Sequence, residues 1–283
     1  MNIDKQQIIK ALSLWFKPDD VFEIRCLDAT TADYMRPHVE SGYFDFEHIK
    51  DAAEAIVKLR TYRGVYATVN PVNPALLARA NNRLRAVGRE PTSADTDVLC
   101  RRWLLLDFDA KRPSGVSSTD EEHDNAQLKS MEIQEALASY NWPEPIMLDS
   151  GNGAQLMYKI ELPADDEGLV QNVLQTIAGA SDDQVDIDLT VHNPARIWRI
   201  PGTMNCKGDS IPDRPHRMAN LISVPDKLEV VPTEMLQELV GAIEVVNSPE
   251  IQDNSTFNID AWIKQYCPEL GQPQDWKGGR RWI

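Results

Sequence analysis

What the sequence lacks narrows it first. Cysteine is scarce: four in 283 residues (Cys26, Cys100, Cys206 and Cys267), no two of them spaced as C-x-x-C. That excludes a zinc ribbon, a thioredoxin-type site and a disulfide scaffold, and fits a reducing cytoplasm. No apolar run approaches the roughly 18 residues a membrane span needs. The first residues, Met-Asn-Ile-Asp-Lys, carry an early acid and no unbroken apolar stretch, so no secretory signal is expected. There is no H-E-x-x-H and no G-x-S-x-G, and the five histidines (38, 48, 123, 192, 216) form no cluster and read as ordinary surface or loop residues. Positive charge is also short, with Lys+Arg 29 against Asp+Glu 44, a net −15 that on its face disfavours a phosphate-rich partner.

What is present is an ordinary globular balance, 42% apolar and 26% charged. The length suits roughly two domains of about 150 residues. The charge is unevenly spread. Pro74 to Arg102 holds six arginines against three acids, and His192 to Arg217 holds four arginines and Lys207 against two. Glu161 to Asp188 holds eight acids and no Lys or Arg. Two basic islands in an acidic chain point to a local anion site.

The apolar spacing predicts helices over 5–16, 46–60, 74–87 and 166–178, and another opened by a Ser118-x-x-Glu121 capping box and running to about Ala138. Alternation predicts strands over 64–70, 103–109, 185–191 and 197–200, and a hairpin of 146–150 with 154–161 around Asn152-Gly153. Strands and helices mix without a βαβ rhythm, so the expected class is α+β with a mixed or antiparallel sheet. Residues 247–258 read as a linker. The final Trp-Lys-Gly-Gly-Arg-Arg-Trp-Ile looks like the middle of an element, and suggests a fragment of a longer protein.

Four segments could carry chemistry. In Trp103-Leu-Leu-Leu-Asp107-Phe-Asp109, strand alternation puts both carboxylates on one face. Two acids a strand step apart repel unless a cation joins them, and a hard divalent ion with oxygen ligands is the natural one. In Val185-Asp-Ile-Asp-Leu-Thr-Val191, Asp186, Asp188 and Thr190 share the face opposite the apolar residues, and one of these acids could complete a three-carboxylate site. In Asp149-Ser150-Gly-Asn-Gly153-Ala-Gln155, glycines and a serine hydroxyl could cradle a phosphate, although no Gly-Lys-Ser/Thr follows and the third glycine of a dinucleotide fingerprint is missing. In Asn193-Pro-Ala-Arg196-Ile-Trp-Arg199-Ile-Pro-Gly-Thr-Met-Asn205-Cys-Lys207, three cations sit on a tight Pro- and Gly-punctuated segment, and fork-shaped guanidiniums suit a triphosphate.

Taken in order, these segments resemble the archaeo-eukaryotic primase superfamily, in its phage, plasmid and mobile-element primase-polymerase forms. Asp107 and Asp109 match its first motif, Ser150 to Gln155 its second, and Asp188 with Arg196, Arg199 and Lys207 its third; the likeness covers about Gly64 to Gly208. The resemblance implies an RRM-like catalytic core with a flanking αβ unit, over residues 1–240, and a linker and the start of a further region over 241–283. It implies Asp107, Asp109 and Asp188 (chosen over Asp186 by the family spacing to Arg196) as catalytic ligands of Mg²⁺ or Mn²⁺. Ser150, Gly153, Gln155, Arg196, Arg199, Asn205 and Lys207 would bind the nucleotide. The implied partners are a single-stranded DNA template, NTPs or dNTPs and a fused or associated helicase, with no membrane. Gln155 stands where the family usually has histidine, and an amide can donate a hydrogen bond without carrying charge. Two other readings stay open: a metal-dependent D-x-D glycosyltransferase, and a nucleic-acid-binding module with inert acids.

Overall fold

The computed structural model describes residues 2–247, 274–276 and 279–281. The chain divides into two compact units, Met1–Ile243 and Glu244–Ile283. The expected linker at 247–258 lies, but for Asn247, outside the described residues, as do four residues of the final octapeptide. In the second unit, Gln274–Trp276 and Gly279–Arg281 pair as a short antiparallel hairpin.

The first unit is α+β, with two five-stranded antiparallel sheets. It opens on α1 (Lys5–Trp15), where the Asp4 carboxylate accepts from the Gln6 and Gln7 amides and so caps the helix. Ile8, Ala11, Leu12 and Trp15 follow at helical spacing and are all buried. Two strands come next that the apolar runs above do not name, β1 (Val21–Ala29) and β2 (His38–Asp45). Phe22, Ile24 and Cys26 face the core, while Glu23 and Arg25 face the other side and pair with each other at 2.7 Å.

Helix α2 (Ile49–Val57) and strand β3 (Gly64–Thr68) follow. The helix expected over 74–87 does not form. Asn73 caps a single 3₁₀ stretch, Pro74–Arg79, and the chain then enters β4 (Arg85–Ala86), because Pro71 and Pro74 start the turn but the polar Asn81-Asn82 pair leaves no apolar stripe to continue it. Strand β5 (Cys100–Ala110) leads to α3 (Asp120–Ser139), whose capping box is Thr119 with Glu122, one residue later than expected. The Ser118 amide donates instead to Asn152 Oδ1 at 3.0 Å.

The remaining elements are β6 (Ile146–Asp149), β7 (Gly153–Pro163), α4 (Leu169–Ala178), β8 (Val185–Ile187), β9 (Ile197–Arg199), β10 (Met204–Asn205), β11 (Arg217–Met218), β12 (Asn220–Ser223) and α5 (Thr233–Asn247). Strand β8 stops four residues short of its expected end. The Asp188 carboxylate captures the Thr190 amide at 2.7 Å and turns the chain into a 3₁₀ stretch, leaving Leu189 exposed.

One sheet runs β4-β2-β1-β3-β9 and the other β12-β6-β7-β5-β8, and every strand pair in both is antiparallel. A continuous core joins them, from Leu12, Phe22 and Phe44 to Leu106, Phe108, Leu156 and Val173. Its large fully buried side chains are each worth about 1.5–3 kcal/mol on leaving water. The decisive connection is the one after β8. There the chain leaves the second sheet and adds β9 to the edge of the first, so residues close in sequence become opposite walls of one pocket.

Candidate active site

The acidic wall is β5. Its partner β7 runs beside it in a register that pairs Asp107 with Gln155 and Asp109 with Gly153. The second pairing needs glycine, because a Cβ at Gly153 would lie 2.2 Å from the Phe108 carbonyl oxygen. Gln155 is buried and its Nε2 donates to Asp107 Oδ1 at 3.1 Å. Arg112, from the loop after β5, donates from Nη2 to Asp109 Oδ1 at 3.0 Å and is itself held by the Ala110 and Val116 carbonyls. The Asp188 amide donates to the Asp107 carbonyl oxygen at 2.9 Å, which fixes the third acid beside the pair. Asp186 is exposed and bridges to Lys111 at 3.3 Å, away from the pocket. Loss of water contact, then the Asp109 charge, pushes the Asp107 carboxyl up to about 8, with the Gln155 hydrogen bond pulling the other way.

The basic wall is the segment around β9. Tyr66 on β3 pairs with Arg199 on β9. The Arg199 guanidinium stands over the Tyr66 ring at 4.6 Å and is buried. Arg196 precedes it, and Asn205 and Lys207 follow on β10 and just beyond. The floor is the turn between β6 and β7. Gly151 there has φ +83°, the Asp149 carboxylate accepts its amide at 2.6 Å, and the Ser150 carbonyl accepts from Asn205 Nδ2 at 2.9 Å. Behind the turn, His123 of α3 contacts Asp149 Oδ1 through Nε2 at 2.9 Å, and that carboxylate raises the imidazole above its ordinary value.

Together these elements enclose a pocket of about 360 Å³ lined by Asp107, Asp109, Asp188, Ser150, Gln155, Arg196, Arg199, Asn205 and Lys207. Gly153 acts through its backbone, at the β5 contact. Arg63, Tyr66, Arg112 and Asn152 also line it, and the sequence reading did not single them out. Arg63 and Tyr66 left no local signal, because pairing of β3 with β9 brings them there. Arg112 follows Asp109 by one helical-turn spacing, and Asn152 sits inside the glycine turn, so both were within reach of the motifs.

Eight buried side-chain polar atoms lack a hydrogen-bond partner among the described residues, and five belong to residues that line this pocket: the donors Asn152 Nδ2, Arg196 Nε, Trp198 Nε1 and Arg199 Nη1, and the acceptor Asn205 Oδ1. Buried polar groups left unmatched call for a partner, whether an ordered water, an ion or a ligand. Among the described residues no three His, Cys, Asp or Glu side chains converge into a preformed metal cluster. The donor chemistry fits a hard divalent cation all the same: three carboxylates share the pocket, and Asp107 is held at an electrostatic cost that a cation would relieve.

No protein-family model matches the chain, and a search of curated proteins finds no match. Two solved structures are similar to it. The chain resembles a crystal structure of primase RepB′ at 14% identity and TM-score 0.44, covering 86% of this chain and 64% of that one. It resembles the catalytic domain of primase RepB′ in complex with initiator DNA at 15% identity and TM-score 0.40, covering 87% and 96%. The chain thus spans less than two thirds of the length of the first.

Proposed function

We propose that the chain is a template-directed nucleotidyl transferase of the primase-polymerase kind, acting on NTPs or dNTPs against a single-stranded DNA template. The observation that carries this reading is the division of one pocket into an acidic wall and a basic wall with unmatched donors. A nucleoside triphosphate with a divalent cation is a ligand that satisfies both. Arg196, Arg199 and Lys207 bind the phosphates, with Ser150 and Asn205 at the turn beneath. The attacking 3′-hydroxyl gives its proton to water as its oxygen bonds to the α-phosphorus and the bond to the bridging oxygen breaks, and pyrophosphate leaves in line. Fixed guanidiniums offset the charge that builds on the leaving group, at no reorganisation cost. Asp107, Asp109 and Asp188 would hold Mg²⁺ or Mn²⁺, which when bound would polarise the phosphate as a Lewis acid and lower the pKa of the attacking hydroxyl.

Residues 1–240 are then the catalytic domain, and 241–283 lead toward a further region that connects to a fused or associated helicase. Among the described residues no helix is long and apolar enough to cross a membrane, and a cytoplasmic place of work in a bacterial or phage-infected cell belongs to the same proposal.

The test is incorporation of labelled dNTPs and NTPs on a single-stranded template, with and without primer, in Mg²⁺ or Mn²⁺. Wild-type incorporation that falls by about 10²–10³-fold or more in Asp107→Ala/Asp109→Ala is expected. Metal-indifferent DNA binding with no incorporation under any condition would replace this reading with the binding-module one, and activity on nucleotide sugars would replace it with the glycosyltransferase.

A further inference from the structure

We propose that Gln155 is a positioning residue for Asp107 and takes no part in holding phosphate. The inference rests on the cation reading of the acidic wall. Three observations carry it. The β5–β7 register sets Asp107 and Gln155 directly opposite each other, so their side chains leave the sheet on the same face. The amide Nε2 donates to Asp107 Oδ1 at 3.1 Å, and the side chain is only 5% exposed, so it is fixed in that contact. The unmatched phosphate-type donors, Arg196 Nε and Arg199 Nη1, stand on the other wall.

A symmetrical arrangement on the neighbouring acid gives the contact its meaning. Asp109 Oδ1 accepts from Arg112 Nη2, as Asp107 Oδ1 accepts from Gln155. Each carboxylate therefore has one oxygen tied to the protein, and among the described hydrogen bonds neither Oδ2 has a donor. Gln155 and Arg112 orient the two carboxylates so that one free oxygen of each is left for a cation. Partners of this kind set the orientation and basicity of a metal ligand, and removing one weakens metal affinity about 10–100-fold. An amide suits the task beside Asp107, because it orients the carboxylate without competing for it as a second positive charge would.

The experiment is Mn²⁺ titration of the purified chain, followed by the electron paramagnetic resonance signal of free Mn²⁺, in wild type, Gln155→Leu, Gln155→Asn and Gln155→His. Gln155→Asn keeps the amide but falls one methylene short of Asp107, which guards against a result due only to misfolding; melting curves check each variant. Gln155→Leu and Gln155→Asn are expected to bind Mn²⁺ about 10–100-fold more weakly, and Gln155→His, which keeps a donor, to stay near wild type. The KM for dNTP at saturating Mn²⁺ is expected to be unchanged in all three. Unaltered Mn²⁺ binding with a raised dNTP KM in the Leu and Asn variants would overturn the proposal and make Gln155 a phosphate ligand. Absence of Mn²⁺ binding by the wild type would overturn the cation reading itself, together with this inference.

Discussion

The two walls of the pocket are built on opposite principles. On the acidic wall the acids already have protein partners, Gln155 for Asp107, Arg112 for Asp109 and Thr190 for Asp188, yet burial, and after it the neighbouring Asp109 charge, holds a proton on Asp107 far above the ordinary carboxylate range. On the basic wall Arg199 is braced against Tyr66, and donors are left over. One wall has a surplus of charge and the other a surplus of hydrogen-bonding capacity. A protein that only had to fold would neutralise the first with the second. Keeping them apart, on two sheets, is what a ligand that bridges both requires.

The comparison breaks hardest at Arg199. Arg199→Ala should lower kcat/KM for nucleotide incorporation by about 10²-fold, with Arg199→Lys recovering only part of the loss because an ammonium cannot present the planar fork or stack as well; steady-state kinetics checks this. An unchanged kcat/KM would remove the basic wall from the chemistry. The floor that joins the walls should be nearly as sensitive in stability. Gly151→Ala forces a side chain onto φ +83° and a Cβ to within 2.8 Å of the Arg217 carbonyl oxygen, and should cost about 1–3 kcal/mol in urea unfolding.

The acidic wall should respond in the reverse sense. Asp107 holds its proton more tightly folded than unfolded, so it contributes no penalty at about pH 3, where both states are protonated. It destabilises increasingly as pH rises toward about 8, and by a constant amount above that. Asp107→Asn should therefore raise the melting temperature by a few degrees at about pH 8 without divalent cation, show no gain at about pH 3, and abolish incorporation. The smallest effect belongs behind the turn. Asp149 raises the His123 imidazole, so their contact stabilises fully below the unfolded pKa of about 6.5 and fades as pH rises through the folded value. His123→Gln should cost at most about 1 kcal/mol at about pH 5.5 and nothing measurable at about pH 9 in denaturant melts.

Much of the acidic wall was readable because its information is local. Period-two alternation put Asp107 and Asp109 on one face, and the Asn152-Gly153 turn announced the hairpin of β6 and β7. Short-range competition was harder to see: Thr119 rather than Ser118 caps α3 because Ser118 is drawn to Asn152, and Asp188 ends β8 by capturing the Thr190 amide. Strands β1 and β2 show no clean period in the sequence: Phe22, Ile24 and Cys26 alternate with Glu23 and Arg25, but Val21 before them and Leu27 after them are apolar on the other face.

By itself, then, the sequence determined which residues could carry charge to a site, the helix stripe of α1, the β6–β7 hairpin, and the shared face of the two acids. All of these depend on spacings of a few residues and on backbone geometry that repeats. Only the tertiary structure decided that β9 crosses to the first sheet, that Tyr66 braces Arg199, that Arg63 reaches the pocket, and that Gln155 faces Asp107. Those depend on strand register between segments far apart in the chain, and register is set by which apolar faces bury together, an outcome of the whole core rather than of any one segment.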